Sequence, residues 1–371
     1  MMSNKRLKIA FIAPGSLGHT IKWLNGLANE NLDITLITQH KVTGDIDERV
    51  AICSLPYCGG KGYILNALAL NRAVKRIKPD VINVHYASGY GTLALLANIK
   101  PYILSVWGSD VYEFPYQSKF NYWLIKASLK NAKHIASTSF AMATQVKLLL
   151  KAESLPISIT PFGVDLDKFT NIRKPFASSS ITIGIVKRLE HKYGIDLLIE
   201  AFAEIVHQKK QGVILSNSAV KLVIVGDGSL ERELKALTQT LQLSESVDFV
   251  GAIENDQVPQ YINQMDIFVV PSRIESFGVA AIEALACQRP CIVANTGGLP
   301  EVISDQETGM VASYESISSI VKSINWLLEN KEQAIDMGIK GREDVLSKYS
   351  QKAAVITMTA LYRTFYERLS K

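Results

Sequence analysis

At 371 residues, 47% of them hydrophobic and 20% charged, the chain has the composition of a globular protein and is too long for one hydrophobic core, so two domains are expected. No run reaches the roughly 20 apolar residues of a membrane-spanning helix, and MMSNKRLKIAFIAPG leads from a basic start into a strand-like segment without a signal-peptide pattern, which predicts a cytoplasmic protein. The net charge of +5 is too modest to suggest nucleic acid, but 19 Lys plus Arg face 11 Asp plus Glu through residue 170 while the remainder carries 21 against 24, so the first half should face something anionic.

In chain order, short apolar runs alternate with longer amphipathic stretches: KIAFIAP, a helix through HTIKWLNGLAN, DITLIT, a helix near 65 to 78, DVINVHY, YILSVW and HIASTS. This alternation predicts parallel βαβ units. It breaks at PFGVDLDKFTNIRKPFASSS, where Pro, Gly, Asp and Ser cluster, and restarts with ITIGIV, KLVIVGDG, VDFVG, DIFVVPS and PCIVAN. The α/β reading is therefore two Rossmann-like doubly wound domains, 1–165 and 166–350, with a helix over 351–371 that can cross back to the first domain. Ligands of such sheets bind beyond the strand carboxyl ends, and two such domains should face a central cleft.

The most informative segment is VVPSRIESFGVAAIEALACQRPCIVANTGGLPEVI, residues 269 to 303. Glu275 lies in a turn and Glu283 on the following helix, roughly 8 to 12 Å further along it. Carboxylates accept hydrogen bonds from vicinal hydroxyls and repel a diphosphate. Backbone N–H groups near Gly278, Val279 and Ala280, at the positive end of the helix, suit the diphosphate instead. A lone helical Glu is usually solvated, but Glu283 sits in an unusually apolar helix where an unpaired charge is costly.

In VKRLEHKYG, at the end of ITIGIV, Arg188 and Lys192 are candidate cations for a leaving diphosphate; the same string also reads as an exposed charged turn. PGSLGH supplies Gly15 and Gly18 ahead of a helix but is not GxGxxG, and Gly226 in VGDG is equally ambiguous between a phosphate-contacting and a structural turn. His85 in NVHY and Asp110 in WGSD end strands on the acceptor side of the expected cleft, where each is either a site residue or a satisfied structural group. Asp45 with Asp47, and Asp165 with Asp167, resemble metal-binding pairs but lie in a polar loop and in the break between domains, so no metal is assigned. Cys53, Cys58, Cys287 and Cys291 have neither CxxC spacing nor a nearby histidine, and they read as reduced thiols.

With these residues the sequence resembles the retaining family 4 glycosyltransferases of GT-B fold along nearly its whole length. Glu275 and Glu283 match the family's E-x7-E pattern, with SFG after the first Glu and GGLPEVI downstream. Arg188 and Lys192 match its RLxxxKG segment, with Tyr193 inserted before Gly194. The resemblance implies that Arg188 and Lys192 hold the donor diphosphate, that Glu283 binds the ribose, and that Glu275, Ser276, Phe277 and Gly278 contact the transferred sugar. It also implies no metal or cofactor, and front-face attack through an oxocarbenium-like state that retains the anomeric configuration. Many relatives carry a His where this chain has Trp107, so that contact does not carry over, and Asp110 becomes the candidate for positioning the acceptor. HYASGYGTLALL and LSVWGSDVYEFP look most like bacterial enzymes that build surface polysaccharides such as lipopolysaccharide.

The expected function is transfer of a hexose or N-acetylhexosamine from a UDP-linked sugar to a glycan or lipid-linked glycan. A GT-B nucleotide-sugar epimerase and a catalytically silent nucleotide-sugar-binding subunit are the competing readings; the E-x7-E segment argues against the first and retention of both carboxylates and both cations against the second. In SKFNYWLIKASLKNAKH, Lys119, Lys126, Lys130 and Lys133 fall on one helical face beside aromatic residues. Such a face suits either an anionic membrane surface, at the inner side of the membrane, or a packed helix with solvated lysines. The basic first half and the lipid-linked acceptors of the resembled family favour the membrane.

Overall fold

A computed structural model describes residues 5–152, 156–212 and 219–370. It contains two compact units, Met1–Gly163 with Gln351–Lys371, and Val164–Ser350. In the first, strands β1 (Leu7–Ile12), β2 (Leu32–Thr38), β3 (Ala51–Ser54), β4 (Val81–His85), β5 (Ile103–Val106), β6 (His134–Ser137) and β7 (Ile157–Ile159) form a parallel sheet of order β3-β2-β1-β4-β5-β6-β7. In the second, β8 (Ser180–Val186), β9 (Ala219–Val225), β10 (Val247–Gly251), β11 (Ile267–Val270), β12 (Cys291–Ala294) and β13 (Met310–Ala312) form a parallel sheet of order β10-β9-β8-β11-β12-β13.

Both sheets are doubly wound, and helices on both faces explain why β4, β5, β11 and β12 are buried throughout and read as continuous apolar runs. The strand order reverses between β1 and β4 and again between β8 and β11. At such a switch point neighbouring strands send their connections to opposite faces, which leaves a crevice beyond their carboxyl ends.

The edge strands β3, β7 and β13 have no counterpart in the sequence pattern. They run over only 4, 3 and 3 residues and are largely half-buried or exposed, so no apolar run marks them. The helix Lys119–Asn131 ends where Ala132 turns extended, which leaves Lys133 off the lysine face expected from the sequence. Among the described residues no helix is long and apolar enough to cross a membrane.

The helix Gln351–Leu369 belongs to the first unit, where it packs on the helix Gly18–Leu27 and on β4. Gly26 makes that approach close, because a Cβ there would stand 2.6 Å from Val355 Cγ2. Tyr362 is fully buried and donates its hydroxyl to Asn83 Oδ1 at 2.7 Å, while the Asn83 amide donates to the Ile103 carbonyl and to Ser105 Oγ. Tyr362→Phe leaves Asn83 Oδ1 without its donor in the core and is expected to destabilise the protein by about 1–3 kcal/mol in chemical denaturation.

Candidate active site

Four loops converge around the β8/β11 switch point, and glycines let their backbones touch. After β11 the chain runs through Glu275 to Gly278, which adopts φ +113° as the cap of the helix Val279–Ala286. Gly297, at φ +51°, lies so close beneath this loop that a Cβ would stand 1.7 Å from the Glu275 carbonyl oxygen. Gly298 donates its N–H to the same carbonyl at 3.1 Å. Phe277 is buried and packs edge-on against Tyr349. The first-turn N–H groups of Val279–Ala286 lack intrahelical acceptors by geometry and mark its positive end, and Glu283 is half-buried on the same helix.

The cation beside Glu275 is one that sequence reasoning missed. Lys187 directly follows β8, and its ammonium lies 2.7 Å from Glu275 Oε2 and 4.6 Å above the centre of the Tyr193 ring. Burial lowers its pKa, but the charge and hydrogen bond of Glu275, with Tyr193 and Glu283 beside it, outweigh that and hold it above the usual lysine value. Arg188 and Lys192, the cations expected from the sequence, both pair with Glu190, at 3.0 and 3.4 Å. Their turn is nonetheless tied to the site: the Lys192 carbonyl accepts from the N–H groups of Arg273 and Ile274. Gly194, at φ +65°, sits where a Cβ would be 2.2 Å from the Pro271 carbonyl oxygen. The inserted Tyr193 is absorbed by a short 3-10 turn, His191–Tyr193. Gly226, at φ +130°, and Gly228 lie under the carbonyls of Lys187 and Leu189, so both support this loop by close backbone packing.

In the first unit His85 and Asp110, expected on the acceptor side, end or follow strands but are buried, whereas Gly18 is exposed. Asp110 has no exposed surface; Oδ2 accepts from the Ala87 N–H at 2.8 Å, and Oδ1 from those of Trp107 at 3.2 Å and Gly108 at 2.8 Å. Its carboxylate therefore staples the loops after β4 and β5, and burial raises its pKa against the opposing effect of these hydrogen bonds. Gly15 donates its N–H to Thr38 Oγ1 at 3.0 Å, and Gly18 opens the helix Gly18–Leu27. Trp107 is half-buried with its ring 5.1 Å from that of His85 and 5.5 Å from that of Phe162.

The four cysteines are free thiols. Asp47 is taken up by Arg49, and Asp165 accepts from the N–H groups of Asp167 and Lys168, so one carboxylate of each acidic pair has a local structural role. Among the described residues no group of three or more His, Cys, Asp or Glu side chains could hold a metal ion.

His85 is fully buried, stacks on Phe11 at 4.0 Å, and among the described residues finds no hydrogen-bond partner at either ring nitrogen. Burial pushes its pKa from 6.5 down to about 3, so the folded protein holds it neutral while the unfolded chain takes up a proton first. The associated stability is fully present above pH 6.5 and is lost as the pH falls towards 3. Between pH 7 and pH 5 His85→Phe is expected to lose about 2 kcal/mol less stability than the wild type in urea denaturation. Equal losses would show that His85 does not resist protonation.

Residues 167–344 match the family described as Glycosyl transferases group 1, and residues 8–139 match Glycosyl transferase 4-like. N-acetyl-alpha-D-glucosaminyl L-malate synthase of Bacillus anthracis is 26% identical over 314 residues, 80% of this chain and 77% of that protein. Sucrose-phosphate synthase from Thermosynechococcus elongatus superposes with a TM-score of 0.82 at 20% identity, over 98% of this chain and 100% of that one. Anabaena HepE, solved with UDP and glucose, gives 0.75 at 16% identity, over 96% and 99%. These structural likenesses establish the GT-B fold, two Rossmann-like domains each built on a parallel sheet. The two sequence matches fall one on each sheet, together span most of the chain, and agree with that fold, so the protein belongs to the group 1 glycosyl transferases.

Proposed function

We propose that the protein transfers a hexose or N-acetylhexosamine from a UDP-linked sugar to a glycan or lipid-linked glycan acceptor in cell-envelope polysaccharide synthesis, with retention of configuration and without a metal ion. The observation that carries this reading is the Glu275 loop, held against Lys187 directly before the positive end of the helix Val279–Ala286 and beside the switch point of the second sheet. That arrangement offers acceptors for sugar hydroxyls at Glu275 and for the ribose at Glu283, with donors for a diphosphate between them. The Anabaena structure with UDP and glucose supports the choice of nucleotide.

In this reading Arg188 and Lys192 exchange Glu190 for the donor diphosphate, and with the helix terminus they supply the positive charge that a metal would otherwise bring. The acceptor hydroxyl oxygen bonds to the anomeric carbon on the face the diphosphate leaves. The bond from that carbon to the phosphate oxygen breaks with its electron pair going to the phosphate, which takes the hydroxyl proton. The acceptor is assigned to the first unit, where Asp110 acts by fixing the loops that carry Ala87 and Trp107.

UDP at 100 times its dissociation constant should stabilise the protein by about 2.7 kcal/mol, seen as a rise in melting temperature. Glu283→Ala should remove most of that shift, and EDTA should leave sugar transfer unchanged. A full shift in the variant would remove the ribose assignment, and loss of turnover in EDTA with recovery on adding Mn²⁺ would remove the metal-free mechanism.

A membrane-bound acceptor is supported by the segment 116–130, where Tyr116, Phe120 and Trp123 are exposed on the first unit together with Lys119 and Lys130. Each lysine near an anionic bilayer adds about 1 kcal/mol of salt-sensitive attraction. The protein should pellet with phosphatidylglycerol vesicles at low salt, and Lys119, Lys126 and Lys130 changed together to Glu should release it. A wild type that stays in the supernatant would assign the acceptor to solution.

A further inference from the structure

We infer that Lys187 is the principal cation of the donor site, and that the diphosphate of the bound nucleotide docks on its ammonium while Glu275 remains its counter-ion. The inference rests on the proposed nucleotide-sugar activity and concerns a residue outside the cations the sequence pattern singles out.

Position comes first. Lys187 leaves β8, and the Glu275 loop follows β11; these strands are neighbours across the switch point, where open parallel sheets place their ligands. Its backbone is held on both sides: the N–H donates to the Val225 carbonyl at 2.9 Å, and its own carbonyl lies over Gly226, where a Cβ would approach to 2.0 Å. The side chain thus starts from a fixed point.

Charge balance comes second. Glu275 and Glu283 both act on Lys187, and without a cation two carboxylates at this place would repel an incoming diphosphate. A lysine ammonium has three donors and no acceptor, so the Glu275 hydrogen bond leaves further donor capacity for phosphate oxygens. The Tyr193 ring under the ammonium adds attraction and limits where it can move.

Exposure decides among the cations. The Lys187 side chain is 15% exposed and that of Glu275 11%, whereas Arg188 is 68% exposed and Lys192, at 23%, is turned with it onto Glu190. Water and salt screen an exposed cation, while one withdrawn from solvent keeps most of its field. Arg273 is also largely buried, but its guanidinium is committed to Asp196, Glu315 and the His191 carbonyl. Lys187 is therefore the cation best able to bind the diphosphate strongly.

The test is calorimetric titration of the full chain with UDP, and with other nucleoside diphosphates if UDP does not bind. Lys187→Met should weaken binding roughly 10- to 100-fold, Arg188→Met should weaken it less, and Lys187→Arg should recover most of the affinity. If Lys187→Met does not fold, Lys187→Gln keeps a donor to Glu275 while removing the charge, and it should show the same loss. Wild-type affinity in the uncharged variant, or a larger loss in Arg188→Met, overturns this inference alone. Failure of the wild type to bind any nucleoside diphosphate overturns the proposed function and the inference together.

Discussion

The second unit depends on backbones brought closer than any side chain would permit. Gly297 beneath Glu275, Gly194 beneath Pro271, and Gly226 and Gly228 beneath Lys187 and Leu189 each lie at a separation where a Cβ would overlap a carbonyl oxygen. Gly297, Gly194 and Gly226 also have positive φ, which L side chains rarely adopt. These contacts fix the loops after β8 and β11 as one surface. A functional side chain grown from such a surface starts from a defined point, and that sets its geometry more firmly than any ion pair formed later.

Charge is distributed over this scaffold in layers. Arg273, held by Asp196 and Glu315, braces the loop that leads to Glu275, and Lys187 balances Glu275 itself. Arg188 and Lys192 share Glu190 at the outer side of the same turn. The first unit uses a carboxylate differently: Asp110 receives the backbone N–H groups of Ala87, Trp107 and Gly108, so its buried oxygens are satisfied by peptide dipoles and serve loop geometry.

Much of the architecture was legible in the sequence because buried parallel strands are apolar along their whole length and the loop between the two arrays breaks the pattern. The edge strands β3, β7 and β13 were not, since short, half-exposed strands leave no such run. The turn holding Glu275 and the apolar helix holding Glu283 were visible because a charged residue in either setting is unusual. Lys187 was hidden for the opposite reason: in VKRLEHKYG it is one charge among several, and only the pairing of β8 with β11 separates the cation facing Glu275 from those facing Glu190. His85 and Asp110 were visible as polar residues at strand ends, but spacing alone cannot distinguish a group aimed at solvent from one closed in by Phe11 and Trp107 or by three N–H groups.

The first unit is discontinuous along the chain. The hydrogen bond between Asn83 and Tyr362 joins residues 279 apart, and the segment between them includes all of Val164–Ser350. During synthesis the ribosome therefore releases every residue of the second unit before the helix Gln351–Leu369 that completes the first. The second sheet can close while the first still shows the apolar side of β4 that this helix covers. The first unit thus cannot be completed before the second has been translated, and until then its uncovered apolar surface is of the kind that favours aggregation.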